Sequence, residues 1–279
     1  TLYEKTSSMS SFLQKIRTFL SVYYSLMTTY RAEIFLWAIA TSLPLIMMGV
    51  WIEAGASGRF PMNEAELARY FIAVFIVRQF SIVWVIHDFE YHVVTGRLSP
   101  LLLQPINPAW RFIAPHLSEQ LARLPFVVCL VALLLWLYPQ ALSAQDGSEG
   151  RWTPIFNRIV LSGVMIYCAF ALRFLMQYTL AMLAFWLERV AACDRLLMIP
   201  YLFLSGLIAP LEMFPENIRI LATYTPFPYF VWFPASLLAG EDLPILKPLI
   251  VITAWLLVFQ LIARAVWRRG LHKYSAMGT

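Results

Sequence analysis

The sequence predicts an all-α integral membrane protein. It has six transmembrane helices, an N-terminal interfacial helix, a short cytoplasmic helix between spans two and three, and an outer re-entrant helical hairpin between spans five and six. Three observations carry that prediction. The 279 residues are 60% hydrophobic and only 13% charged, where soluble domains run at about 45–50% apolar and about 25% charged. Windows of roughly 20 residues nearly free of charge recur along the chain, the length a helix needs to cross about 30 Å of hydrocarbon. Lysine and arginine are shared unevenly between the loops, which predicts an orientation. The short alternating strands of a spanning barrel are absent from the sequence.

From residue 10 to 30, Phe12, Leu13, Ile16, Phe19, Leu20, Tyr23 and Tyr24 fall at helical spacing with Lys15 and Arg17 opposite, the pattern of an interfacial helix. The first span is expected over 34–52, with Pro44 as a kink, and the second over 67–86, after a polar loop. The third covers 116–138, with a polar beginning from His116 to Arg123. After an exposed turn at 139–154 the fourth span runs over 155–187, longer than a bilayer requires and therefore tilted or projecting. The fifth is short, 196–209, and the sixth covers 248–266.

Residues 221–240 are apolar enough for a seventh span. However, Pro226, Pro228 and Pro234 would each remove a backbone donor, and an odd count would carry Arg264, Arg268, Arg269 and Lys273 outside. Residues 210–244 are therefore read as an outer re-entrant or interfacial hairpin. The whole chain, 1–279, is one transmembrane domain. With six spans both termini are cytoplasmic. Lys5, Lys15, Arg17, Arg31, Arg97, Arg111, Arg189, Arg195, Arg264, Arg268, Arg269 and Lys273 then lie inside, against Arg59, Arg69, Arg151, Arg158, Arg219 and Lys247 outside. The formal charge of +5 thus reports orientation rather than a nucleic-acid partner. The polar, Ser-rich lead lacks the pattern of a removable signal peptide, so the first span is expected to direct insertion. Cys129, Cys168 and Cys193 are scattered and show neither a disulfide framework nor metal-ligand spacing.

The loop between spans two and three, 96–108, is apolar yet too short to span. Gly96 suits a left-handed or turn conformation, Ser99 an N-cap and Pro100 the first helical position, which predicts a helix of one to two turns through Leu101, Leu102 and Leu103, stopped by Pro105 and Pro108. So short a helix needs something to dock on.

Glu90, Gly96-Arg97-Leu98, Leu101-Leu102 and Pro105 together resemble the second intracellular junction of type 2 ATP-binding-cassette permeases. There a Glu-rich span end leads through Gly-Thr-Leu into a Leu-Leu pair and a Pro; Arg97 stands here where Thr is commoner. A second stretch is similar to the fifth span and outer hairpin of the same permeases: Ser205-Gly206-Leu207-Ile208-Ala209-Pro210-Leu211-Glu212-Met213-Phe214-Pro215, with Thr225-Pro226-Phe227 and Phe233-Pro234-Ala235. More narrowly, His87-Asp88-Phe89-Glu90 through Pro105-Ile106-Asn107-Pro108 resembles a bacterial subgroup of uncharacterised permeases encoded beside a different permease and an ATPase.

The resemblance implies a non-catalytic permease subunit of an exporter in the bacterial inner membrane. Its partners would be two copies of a nucleotide-binding ATPase and a second permease, identical or paralogous, with membrane lipids around it. Glu90, Gly96, Arg97, Leu98, Leu101, Leu102, Leu103 and Pro105 would form a coupling helix seated in the ATPase. Tyr224, Phe227, Tyr229 and Phe230 would gate the outer exit. No Gly-x-x-x-x-Gly-Lys-Ser/Thr sequence is present, so ATP and Mg belong to the partner, and no cofactor is expected in this chain.

Arg78, Arg123 and Arg173 fall within candidate spans, where an arginine costs at least about 2.5–3.5 kcal/mol unless paired or hydrated. One reading is structural pairing, as for Glu119 and Arg123, one helical turn apart. The other is a translocation path in which Arg78, Gln79, Arg123, Arg173 and Gln177 accept a polar or anionic headgroup on a lipidic, glycan-linked or drug-like molecule. The spacing of His87, Asp88, Glu90 and His92 fits no familiar metal-ligand set; Asp88 with His92 is an i,i+4 pair. A lipid-modifying enzyme built on His87, Asp88, His92 or His116, and an ion-coupled transporter, are the alternatives from other classes; the first lacks a recognisable constellation and the second has arginines where carboxylates are usual.

Overall fold

The computed structural model describes residues 18, 21–25, 29, 31–55, 62–142 and 152–277, and every regular element among them is helical. Most of the interfacial helix expected over 10–30 lies outside the described residues, although Ser21 to Ser25 are helical and the Arg111 guanidinium lies 4.9 Å from the Tyr23 ring centroid.

The first expected span is two helices, α1 (Arg31–Ala40) and α2 (Leu43–Gly55). Pro44 does more than kink the helix: it lacks an N–H and disfavours helical backbone in the residue before it, so the chain breaks at Thr41 and Ser42. Next comes α3 (Glu64–Ser81), started by a capping box in which the Glu66 N–H donates to Asn63 Oδ1 and the Asn63 N–H to Glu66 Oε2, each at 2.9 Å. The second span is also discontinuous. After α3 the chain is extended at Ile82 and resumes as α4 (Val85–Val94). A five-residue helix, α5 (Leu98–Leu102), precedes α6 (Pro108–Leu137), which absorbs Pro115 and Pro125 without interruption. Pro108 does not stop the short helix as expected. It opens α6 from its first position, with the Asn107 side chain accepting the Ala109 N–H at 2.9 Å.

Helix α7 (Trp152–Ala181) continues as a 3-10 turn, Met182–Phe185, and α8 (Ala191–Leu204) begins five residues before the expected fifth span. Gly206, with φ 80°, diverts the chain from there. The 210–244 region holds short elements: a 3-10 turn at Leu211–Met213, α9 (Glu216–Tyr224), a second 3-10 turn at Phe227–Phe230 and α10 (Trp232–Ala239), which ends at Gly240 in the left-handed region. The last helix, α11 (Leu246–Met277), runs beyond the expected end of span six.

Among the described residues four helices are long and apolar enough to cross a membrane: Glu64–Val94 taken through its break, Pro108–Leu137, Phe156–Phe185 and Leu246–Tyr274. Helices α1, α2 and α8 are shorter. Two buried clusters hold the bundle. One gathers Tyr70, Phe71 and Phe75 of α3 with Tyr229, Phe230 and Phe233 around α10. The other centres on Phe89 of α4, whose ring meets those of Phe112, Tyr178 and Phe185 at 5.2–5.6 Å. The second cluster includes a close approach at Gly270 of α11, where any Cβ would overlap the Phe185 ring.

Candidate functional site

The short helix α5 starts two residues earlier than its sequence suggests. Gly96 takes φ 73°, as expected of it, but Ser99 lies inside the helix instead of capping it, and its hydroxyl is 3.0 Å from that of Tyr274 at the end of α11. Leu98 is fully buried, and Leu101 and Leu102 are half-buried against the cluster around Phe89. The three leucines are therefore not presented alike: Leu103, 88% exposed, is the one that projects. Arg97 and Pro105 are exposed beside it, with the Arg97 guanidinium 5.0 Å from the Tyr91 ring centroid.

Glu90 points elsewhere. Its Oε2 accepts the Ala191 N–H at 2.8 Å, capping the start of α8, where Val190 offers no side-chain cap. The short helices α4 and α5 are thus tied to three others: α5 to α11 through Tyr274, α4 to α8 through Glu90, and both to α7 through the aromatic cluster. His92 Nδ1 lies 3.2 Å from the Asp88 carboxylate, the pairing that their spacing suggested.

The five polar residues expected along a path separate into two groups. In the first, Arg123 Nη2 pairs with Glu119 at 2.9 Å, Arg123 Nη1 donates to Gln79 Oε1 at 3.3 Å, and Gln79 Nε2 donates to Thr41 Oγ1 at 2.8 Å, joining α6 and α3 to the break between α1 and α2. The same face of α6 repairs the break in span two. Gln120 Nε2 donates to the Phe80 carbonyl at 2.6 Å, and His116 Nε2 accepts the Trp84 N–H at 3.0 Å. Because Nε2 accepts, Nδ1 carries the hydrogen and donates to the Phe112 carbonyl at 2.8 Å. Trp84 Nε1 closes the set on Glu119 at 2.8 Å. The sequence alone assigns Gln120 no role and does not predict the break. The available signal was the polar stripe His116, Glu119, Gln120 and Arg123, spaced to lie on one helix face inside an apolar run.

In the second group, Arg173 of α7 donates to the Tyr201 hydroxyl of α8 at 2.8 Å and stands 4.3 Å over the same ring. Arg78 of α3 is half-buried nearby, with Nη1 buried and without a hydrogen-bond partner among the described residues. One turn along α7, Gln177 donates to Asp194 of α8 at 3.1 Å.

The expected outer aromatic residues also divide. Tyr229 and Phe230 are buried, the Tyr229 hydroxyl donating to the Thr223 carbonyl at 2.6 Å. Phe227 is half-buried against Phe230, and Tyr224 is exposed with Lys247 over its ring at 5.3 Å. Beside them, burial raises the Glu212 carboxyl above its ordinary range, and burial together with the Glu212 charge pushes Glu241 up to about 7.

The sequence model for ABC-2 family transporter proteins matches residues 62–278, more than three quarters of the chain, and includes α3 through α11. The chain belongs to the ABC-2 transporter family. As a member it is a multi-pass membrane protein and the transmembrane subunit of a transporter, a family of membrane subunits that is generally non-catalytic and works with an ABC ATPase. No curated protein matches the chain.

Proposed function

We infer that the chain is the permease subunit of an ATP-driven exporter, with α5 as the helix that receives motion from the ATPase. The observation that carries this reading is the anchoring of α5. Leu98 is buried in the aromatic cluster and Ser99 is joined to Tyr274, while Leu103, which caps the end of the helix, stands 88% exposed. A helix of five residues is unstable alone in water, so one fixed to the bundle yet displaying a leucine is suited to passing displacement from a partner into the spans. Glu90 serves that transfer by tying α4 to α8 rather than by touching the ATPase.

In this reading α1 with α2 is span one and α8 is span five, which makes six with the four long helices. Residues 10–30 form the interfacial helix, and 210–244 form an outer hairpin entering the membrane part-way. The irregular carbonyls of Ser205, Gly206 and Ile208 find donors in the Trp232 N–H, Tyr70 hydroxyl and Trp51 Nε1, which supports a place at membrane depth. Both termini are cytoplasmic, the membrane is the bacterial inner membrane, and two ATPases supply ATP and Mg to a pair of permeases, identical or paralogous. The cargo is an amphipathic molecule taken from the cytoplasm or inner leaflet; Tyr224 and Phe227, the less buried outer aromatics, flank its exit.

Copurification with the cognate ATPase tests this. Leu103→Asp should weaken the complex about tenfold or more, given about 1.5–3 kcal/mol for burying a leucine, without lowering the yield of folded permease. A Leu103→Asp protein that still binds and stimulates the ATPase like the wild type removes α5 from the coupling role.

A further inference from the structure

Arg78, Arg123 and Arg173 lie near the middle of three of the long apolar helices, and the protein treats them differently. Arg123 has its own carboxylate, Glu119, one turn away at 2.9 Å. Among the described residues Arg78 and Arg173 form no ion pair. They come from separate helices to the same neutral phenol: Arg173 donates to Tyr201 and stacks on it, and the groups that act electrostatically on Arg78 are Tyr201 and Arg173. The single acid of α8, Asp194, is already engaged by Gln177. Two half-buried guanidinium groups within apolar helices are each costly and repel one another. A phenol accepts one N–H and supplies no charge, and among the described residues Arg78 Nη1 is left buried without an acceptor.

The chemistry that completes such a group is an anion with several acceptor oxygens. Guanidinium forks match phosphate in both charge and geometry. Arg78 lies 14 residues into α3, about 21 Å along its axis. With Glu64 at the outer surface, that is the inner half of a hydrocarbon layer about 30 Å thick. We propose that Arg78, Arg173 and the Tyr201 hydroxyl bind the phosphate group of an amphiphile drawn from the inner leaflet. The depth, and the ligand's identity as cargo, rest on the exporter reading above; the binding itself does not.

The full chain, with any ATPase that copurifies, is purified in an uncharged detergent and titrated with dodecyl phosphate, bound molecules being counted by native mass spectrometry. Dodecyl phosphate should bind once per chain, and dodecanol, with the same tail, should not displace it. Arg78→Gln should weaken binding at least tenfold and Arg78→Lys less, because lysine keeps the charge and loses the fork. Tyr201→Phe, which removes one oxygen, should weaken it severalfold and stands in for Arg78→Gln should that variant fail to fold. Arg189→Gln, an exposed arginine before α8, should leave binding unchanged.

Equal binding by wild type and the folded site variant, or displacement by dodecanol, overturns the proposal. A second arm identifies the source, using a fluorescent short-chain phosphatidic acid in phosphatidylcholine vesicles. ATP-driven movement between leaflets marks cargo, and binding without movement marks a resident lipid; both retain the site. Titration reads the site whether or not Leu103→Asp affects the ATPase, so the two readings fail separately.

Discussion

Two of the places where the backbone leaves regular helix in this bundle are secured by different means. At Ile82–Trp84 in span two, the freed groups go to two flexible polar side chains of one helix: Gln120 donates to the Phe80 carbonyl and His116 accepts the Trp84 N–H. At Ser205–Ile208, after α8, three carbonyls are met by donors from three elements, the Trp232 N–H, Tyr70 hydroxyl and Trp51 indole. There Gly206 also sits so close to α10 that an added Cβ would come 2.7 Å from that of Trp232. Both solutions satisfy the rule that backbone polar groups need partners in a membrane. The break after α8, outer in the exporter reading, takes its hydrogen bonds from three elements and closes around a glycine contact, whereas the break in span two, inner in that reading and with Val83 buried in the cluster around Phe89, takes its side-chain hydrogen bonds from a single neighbour. A shift of α6 would therefore remove both hydrogen bonds at the inner break, while the outer break has donors from α2, α3 and α10.

The strongest way to test that contrast is Gly206→Ala. The substitution combines a backbone at φ 80° with the approach to Trp232 and the Tyr70 hydroxyl. Left-handed strain and overpacking together should cost about 2–5 kcal/mol. The expected result is a large drop in the thermal midpoint of the purified chain, or loss of folded protein. A melting curve like that of the wild type would mean that the outer break is not locked.

His116→Leu is the corresponding change at the inner break, and its effect should be smaller, about 1–3 kcal/mol for the Trp84 N–H left without an acceptor. The imidazole also stacks on the Trp84 indole at 4.5 Å, a contact that leucine does not reproduce. Because the loss falls on one turn, hydrogen exchange should rise at residues 82–86 while α10 stays protected. Equal loosening of α10 would contradict the separation of the two breaks.

The contrast also explains what could be read from the sequence. Composition and apolar length revealed the membrane class and the four long helices, because burial in lipid demands long runs without charge. Glu119 with Arg123 and Asp88 with His92 were legible because both pairs are one turn apart on one helix. The break in span two was not, since Ile82, Val83 and Trp84 have no breaker among them; the extended backbone becomes affordable only because His116 and Gln120, over 30 residues later, lie opposite. Likewise Glu90 reads locally as a charged helix end, and only the fold brings the start of α8 to its carboxylate. The leucines of α5 were legible as a set but not individually, because which one is exposed depends on the cluster around Phe89.

The smallest expected effect concerns charge at the outer break. Glu212 accepts the Trp232 indole N–H at 3.1 Å, and Glu241 follows the end of α10. Burial, then the charge of Glu212, pushes the Glu241 carboxyl up to about 7 from an ordinary value of 4.5. A carboxyl raised in the folded state holds its proton there after the unfolded chain has lost it. Its contribution to stability is therefore complete below about pH 4.5 and is lost as the pH rises through about 7. Glu241 keeps some contact with solvent, so the change should be modest, about 2 °C or less in the thermal midpoint between pH 5 and pH 8. Glu241→Gln should remove this part of the pH dependence and leave the remainder. A Glu241→Gln protein whose midpoint falls between pH 5 and pH 8 as steeply as the wild type would place the titrating group elsewhere and remove charge from the difference between the two breaks.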